Sequence, residues 1–294
     1  MFSISQTSRG FYCLQWSSTE NGPKVVSSNH IKMKNNFSDL SLLKDIVSNY
    51  KISTKNESNS LSVIINSNNV LISSIETLSN QENNKMISWY ESNIMGNEFC
   101  DKYYNYYYPM HSNKNNKFLI VSFPKNIKNN LLQSSSDLGF NLIYLSIDVF
   151  SAAILVQHLH KKTLKNKYLL WKICKNNTHT LVLYKQELIC SYVKIKKQAN
   201  KYVKSFGIGG DNEINKLVDC VNNILIHKKS YEDIRNIYIY QTKENTSIIN
   251  NILSLKNNHI EVLSLNRLVV NGANNKLKYM NYVENGICFK GLDL

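Results

Sequence analysis

The alternation of apolar and polar positions along this chain changes period several times, and each change predicts an element. Residues 2–16 alternate loosely through "RGFYCLQW", and after Asn21-Gly22-Pro23 the alternation resumes in "KVVSSNHIKM". A period of two on both sides of an Asn-Gly pair predicts a β-hairpin with its turn there. In "FSDLSLLKDIVSNY" the apolar positions Phe37, Leu40, Leu43, Ile46 and Val47 recur at three- and four-residue steps. That spacing predicts a helix with Ser38 and Asp39 as candidate caps. "LSVIINSNNVLISSIETL" predicts two strands around an Asn-rich turn, and "NQENNKMISWYESNIMG" a helix closed by Gly96. "CDKYYNYYYPM" and "KFLIVSF" predict two strands flanking a polar loop. Residues 125–138 then read as a helix ended by Gly139, "FNLIYLSI" as a strand, and "DVFSAAILVQHLHKK" as a helix with Asp148 at its N-terminus.

Further along, "YLLWKICKNNTHTLVLYKQELICSYVKI", residues 168–195, reads as three apolar strands joined by tight turns. After "SFGIGGDN" an amphipathic helix is predicted from Glu213 to about Lys228, with Ile214, Leu217, Val218, Val221, Ile224 and Leu225 on one face. "NIYIYQT" predicts a buried strand, "SIINNILSLKN" a helix and "IEVLSL" another strand. Strands interleaved with helices throughout predict an α/β architecture with mixed sheets. The polar stretch "HKKTLKNK" divides the chain into two parts, 1–165 and 166–294, each opening with a strand-turn-strand unit.

Composition narrows the function classes. With 294 residues, 43% hydrophobic, the chain is long enough for one large core or two ordinary ones. Lys and Arg exceed Asp and Glu by 14, which invites a nucleic-acid partner. The lysines are spread over the whole length among Asn, Ile, Tyr and Ser, with no arginine-rich block or aromatic-interleaved recognition module. AT-rich codons account for such a composition, so nucleic-acid association stays the disfavoured alternative. The N-terminus lacks a basic start followed by an apolar core, and no apolar run approaches the roughly 20 residues that span a bilayer. A soluble cytoplasmic protein is the expectation. The six cysteines are scattered without a C-x-x-C pair or zinc spacing, so buried or free thiols are expected and no metal. His158 and His160 point to different helix faces, and no Ser-His-Asp or Cys-His constellation is readable, so no catalytic residue is assigned.

Residues 118–155, "FLIVSFPKNIKNNLLQSSSDLGFNLIYLSIDVFSAAIL", run strand, Pro-Lys, helix, Gly, strand, then Asp148 heading a helix that holds Ala152 and Ala153. This order resembles the PilM group of actin-like ATPase-fold proteins, cytoplasmic components of type IV pilus and related secretion machines. The likeness continues through residues 168–195, "GIGGDNEINKLV" and "NIYIYQTKENTSIINNILSLKNNHIEVLSL", and spans nearly the whole chain as an order of elements. It implies two related α/β halves around a cleft, with residues 3–10 facing 172–180. It also implies a small subdomain inserted in the first half, at about 76–124.

The resemblance further implies a nucleotide site, where glycines admit phosphate oxygens to backbone N–H groups and acidic residues hold Mg²⁺. The matching residues are altered. In "FSISQTSRG", Ser3 or Ser5 stands at the aspartate, Thr7 and Ser8 keep hydroxyls, and the glycine comes late at Gly10. In "WKICKNNTHTLV", Lys172 stands at the aspartate and Cys174 at the glycine, with Thr178 and Thr180 remaining. Gln241-Thr242-Lys243 replaces the adenosine-side Gly-Gly, whereas Gly207, Gly209 and Gly210 persist, and Asp148 is the nearby carboxylate. Each has a plainer reading. Lys172 and Lys175 read as solvated lysines of a surface turn, Thr178 and Thr180 as strand residues, the glycines as a turn before a helix, and Asp148 as a helix N-terminal charge. The expectation is therefore no cofactor and no ATP hydrolysis, with a surviving ATP-binding protein as the alternative.

"YYNYYYPM" is the remaining candidate. In a strand, Tyr104, Tyr106 and Tyr108 share one face and Tyr103 and Tyr107 the other. A half-buried strand explains them, and so does a docking surface, where tyrosine combines contact area with a polar tip. In the PilM group the matching region borders a groove that receives the cytoplasmic N-terminal peptide of a bitopic inner-membrane protein. The resemblance thus implies a scaffold that docks such a tail beside these tyrosines.

Overall fold

A computed structural model describes residues 1–7, 10–19, 22–32, 42–50, 59–77, 83–112, 116–160, 164, 166–174, 177–229, 231, 233–241, 246–255, 260–268 and 280–288. One sheet contains β1 (Phe2–Thr7), β2 (Gly10–Thr19), β3 (Gly22–Lys32), β4 (Ser60–Ile65) and β8 (Asn141–Ile147), in the order β3-β2-β1-β4-β8. The first three strands are antiparallel, and β4 and β8 continue parallel to β1. A second sheet repeats this order with β9 (Lys167–Ile173), β10 (Thr178–Lys185), β11 (Leu188–Gln198), β13 (Asn236–Gln241) and β14 (Ile260–Val262). There β11-β10-β9 is antiparallel and β13 and β14 run parallel to β9. One chain order built twice is the architecture of two related α/β units.

Helices fill matching places. α1 (Leu42–Tyr50) follows the first antiparallel trio, and α6 (Asp211–Leu225) follows the second. α4 (Lys125–Asp137) precedes β8, α7 (Thr246–Leu253) precedes β14, and α5 (Asp148–His160) carries the chain from one sheet to the other. The second sheet is buried on both faces, which is why its strands read as continuous apolar runs. Along β9, Tyr168 and Leu170 face the first sheet's core, while Leu169, Trp171 and Ile173 face α6 and α7.

Several expected elements are corrected. Residues 2–16 hold two strands, so the first unit is a three-stranded meander whose β1-β2 connection falls between Thr7 and Gly10, one whole strand before the Asn-Gly pair. The strand expected from Cys100 begins at Tyr103, because Asn97–Lys102 forms α3. α2 (Asn83–Tyr90) ends in a π-turn, Glu91–Met95, that Gly96 closes at φ 78°. A strand was missed at β12 (Lys201–Ile208), which pairs with β11, and the strand expected over 260–265 stops at Val262. Ser38, Asp39 and Phe37 lie outside the described residues.

Two further features position the site. β5 (Leu71–Thr77), β6 (Tyr103–Met110) and β7 (Asn116–Pro124) form a small antiparallel group, β6-β7-β5, that meets the second sheet at the pair Met110–Ile189. A C-terminal 3₁₀ stretch, Met280–Cys288, returns to lie on α5, β1 and β2. Gly286 permits this return, since a Cβ there would stand 2.5 Å from the Ser151 carbonyl oxygen.

Candidate functional site

Asp148 opens α5 and is fully buried. Its Oδ1 accepts the Val149 N–H at 2.7 Å, and its Oδ2 accepts the Ser67 N–H at 2.9 Å and the Ser67 hydroxyl at 3.1 Å. The same Oδ2 accepts a hydrogen bond from the Lys172 ammonium at 2.5 Å. Lys172 belongs to β9 and points to the inner face of the second sheet, in line with Tyr168 and Leu170. Its Nζ also lies 2.6 Å from Glu284 Oε1 in the C-terminal stretch. Side-chain exposures of 2% for Lys172, 0% for Asp148 and 1% for Glu284 make this a triad closed to water.

The charges set one another's proton affinities. Burial alone would lower the Lys172 ammonium, but the Asp148 and Glu284 carboxylates outweigh it and hold Lys172 well above its ordinary range. Burial pushes the Glu284 carboxyl up to about 7, against the opposing pull of Lys172 and with the Asp148 charge adding to the rise. The neighbouring Cys174 thiol and Tyr240 phenol are raised by burial and stay neutral.

The loop between β4 and β5 ties this triad to the first hairpin. Gln6 Oε1, at the end of β1, accepts the Asn69 side-chain amide at 2.8 Å and the Asn66 N–H at 3.3 Å. Lys194 of β11 donates to the Ser67 carbonyl at 3.3 Å and to Asn68 Oδ1 at 2.9 Å. Hairpins β1-β2 and β9-β10 therefore converge at one end of the molecule, with the triad and this loop filling the space between them.

The expected site residues divide. Asp148 and Lys172 meet, and Thr180 sits one strand from Lys172 in the same register row. The solvated-turn reading of Lys172 is overturned, because the turn follows two residues later and Lys172 itself is enclosed. Ser5 is buried in β1, and the Thr7 hydroxyl is engaged with the Gly10 carbonyl at 3.0 Å. Gly10 adopts φ 145° against β3, where a Cβ would overlap the Ile31 carbonyl oxygen. Thr178 lies at the outer end of β10, and Ser8 falls outside the described residues. Gly209 and Gly210 do not join Lys172. Gly209 packs on Ser191, which turns to the α6 side and donates to Glu213 at 3.0 Å. Both glycines border a separate hollow of about 300 Å³ beside the Lys167–Glu213 ion pair.

Sequence reasoning missed Glu284, Ser67, Gln6 and Lys194. The signal for Glu284 was one acid inside "YVENGIC", an otherwise uncharged stretch with no helical or strand period.

The tyrosines of β6 are all half-buried, each held differently. Tyr103 stacks on Phe99, Tyr104 lies under the Lys128 ammonium at 3.9 Å, Tyr106 packs edge-on to Phe123, and the Tyr107 hydroxyl donates to Glu91 at 2.7 Å. Tyr108 packs against Phe150 of α5 and borders a groove of about 310 Å³. Pro109, Tyr144, Phe150, Ile154, Ile189 and Ile287 continue its apolar lining, and Gln157 and Glu187 add polar groups. Among the described residues no cluster of three or more His, Cys, Asp or Glu is arranged to hold a metal, and no helix is long and apolar enough to cross a membrane.

No protein-family model and no curated protein matches the chain. Solved structures do. A chain of a PilM-PilN type IV pilus biogenesis complex superposes with a TM-score of 0.64 at 8% identity, covering 100% of this chain and 98% of that one. A Bacteroides thetaiotaomicron protein described as having an actin-like ATPase fold and unknown function superposes with a TM-score of 0.50 at 11% identity, covering 98% and 95%. The chain has the actin-like ATPase fold.

Proposed function

We propose that this chain is a nonenzymatic actin-fold scaffold of a type IV pilus or related secretion machine. It works at the cytoplasmic side of the inner membrane and holds the cytoplasmic tail of a membrane protein. The observation that carries the reading is the apolar groove between Tyr108 of β6 and Phe150 and Ile154 of α5. A short extended or helical tail gains affinity in such a groove by seating one or two apolar anchors. The similarity to a pilus complex of two proteins supports a partner of this kind.

In this reading the cleft does not take Mg-ATP. Every oxygen of Asp148 already has a donor, Lys172 is committed to two carboxyl groups, and β1, β2, β9 and β10 carry no acidic residue that would hold Mg²⁺. The two halves, 1–165 and 166–294, are clamped by these internal charges, with the segment of about 76–124 as the docking subdomain. No nucleic acid is required, since the lysines remain dispersed.

The test is a photo-crosslinking amino acid placed at Ile154 in the groove or at Leu253, exposed on α7, in the native host. The groove position is expected to label the tail of one inner-membrane protein that the Leu253 position does not. A synthetic peptide of that tail should then bind the purified chain and lose at least tenfold in affinity in Tyr108→Ser with Phe150→Ala. Equal labelling from both positions, or unchanged peptide affinity, contradicts the reading.

A further inference from the structure

We propose that a proton on Glu284 couples the buried ionic triad to the apolar groove, so that the charge of Glu284 and the shape of the groove change together. The proposal rests on the groove as the docking surface for its biological use. Two elements serve both places. α5 contributes Asp148 to the triad and, two residues on, Phe150 to the groove. The C-terminal stretch contributes Glu284 to the triad and, three residues on, Ile287 to the groove.

No slack separates them. The Ile287 N–H donates to the Ser151 hydroxyl at 2.8 Å, and at Gly286 the two backbones approach too closely to admit even a methyl group. A close-packed contact of this kind passes on a displacement instead of absorbing it.

The driving force is a charge imbalance. One ammonium is enclosed with two carboxyl groups, so the site carries a net negative charge when both are ionised and none when Glu284 takes a proton from solvent. Burying an uncompensated charge is costly, so ionising Glu284 favours an arrangement that re-pairs or hydrates its carboxylate over the one the neutral site holds. The charged and titratable groups facing Glu284 are Lys172 from β9, Asp148 from α5 and Tyr240 from β13, with Cys174 just beyond Lys172. β1, β2, β4 and β8 also pack on the C-terminal stretch and carry no charged side chain, and the 3₁₀ turn Leu265–Leu268, which packs there too, includes Arg267 in its sequence. Asp148 is held in place by the Ser67 and Val149 donors, and the proton of the proposal is that of Glu284. Linkage makes the effect reciprocal, so an occupant that favours one groove shape shifts the proton affinity of Glu284.

The experiment is NMR on the full chain carrying ¹³C-labelled Glu carboxyls and Ile methyls, titrated from acid to mildly basic pH. The Glu284 carboxyl and the Ile154 and Ile287 methyls are expected to titrate with one shared midpoint near neutrality. Glu284→Gln should hold both methyls at their low-pH positions throughout. Ile154→Phe, which fills the groove, should move the Glu284 midpoint by at least about half a pH unit, roughly threefold in proton affinity. Groove methyls that do not titrate, that titrate away from the Glu284 midpoint, or that still titrate in Glu284→Gln overturn the proposal. An unmoved Glu284 midpoint in Ile154→Phe does so as well. If Glu284→Gln does not fold, the shared or separate midpoints of the unsubstituted chain decide. No partner enters this experiment, so its failure leaves tail docking standing, and a failure of tail crosslinking leaves the coupling standing.

Discussion

Lys172 is the one ammonium paired with both the Asp148 and Glu284 carboxyl groups, which water does not reach, and its removal leaves them buried without a counter-charge. Breaking a buried pair by deleting one member costs about 3–5 kcal/mol. Lys172→Met is therefore expected to lose stability of that order in urea unfolding at pH 7.5, and Glu284→Gln in the same chain should recover part of it. A loss below about 1 kcal/mol means that the triad is hydrated and open. Glu284 alone makes a pH prediction. Its folded proton affinity is raised to about 7 by burial, so its stabilising contribution is complete below its ordinary value near 4.5 and disappears as pH rises through 7. The stability of Glu284→Gln relative to the parent should thus climb between pH 4.5 and 7 and level off above. His179, lowered to about 3 by burial, gives a slope of opposite sign in both proteins and cancels in the difference. A flat difference contradicts the buried-carboxyl assignment. The chemistry of Asp148 and Lys172 was only half legible in the sequence. Both were singled out as candidates, but a lysine among many lysines reads as solvated until the fold supplies Glu284 from more than a hundred residues away.

The contact between α5 and the C-terminal stretch depends on one missing side chain. Gly286→Ala would press a Cβ against the Ser151 carbonyl and Leu155, whereas Gly210→Ala meets nothing within 4 Å at an ordinary extended φ of −74°. Gly286→Ala should lower the melting temperature by several degrees or more, while Gly210→Ala leaves it unchanged or slightly higher. Similar melting of the two variants contradicts the close approach. In β6, Tyr107→Phe should cost about 1 kcal/mol for its bond to Glu91, measured in the same unfolding assay. Elements with a clear period were legible. β9 to β11, α5 and α6 appear near their expected places because their apolar rows face one core each. β12 was hidden because four of its eight residues are exposed, and the Met280–Cys288 stretch because a 3₁₀ run buried nearly all round has no amphipathic period.

At the scale of the molecule, one strand order built twice explains why the fold was readable as a plan although only 8% of positions match the pilus-complex chain. The plan brings the β1-β2 and β9-β10 hairpins together, and the chain then closes the space between them with its own charges. The sequence could not announce this, because the closing residues come from an inter-strand loop and a segment without a period. If these charges stand in place of a ligand, the chain acts by contact and not by nucleotide chemistry. Calorimetric titration of Mg-ATP into the full chain measures this most directly. No saturable heat up to millimolar nucleotide is the predicted result. Micromolar binding that disappears in Lys172→Ala would contradict it.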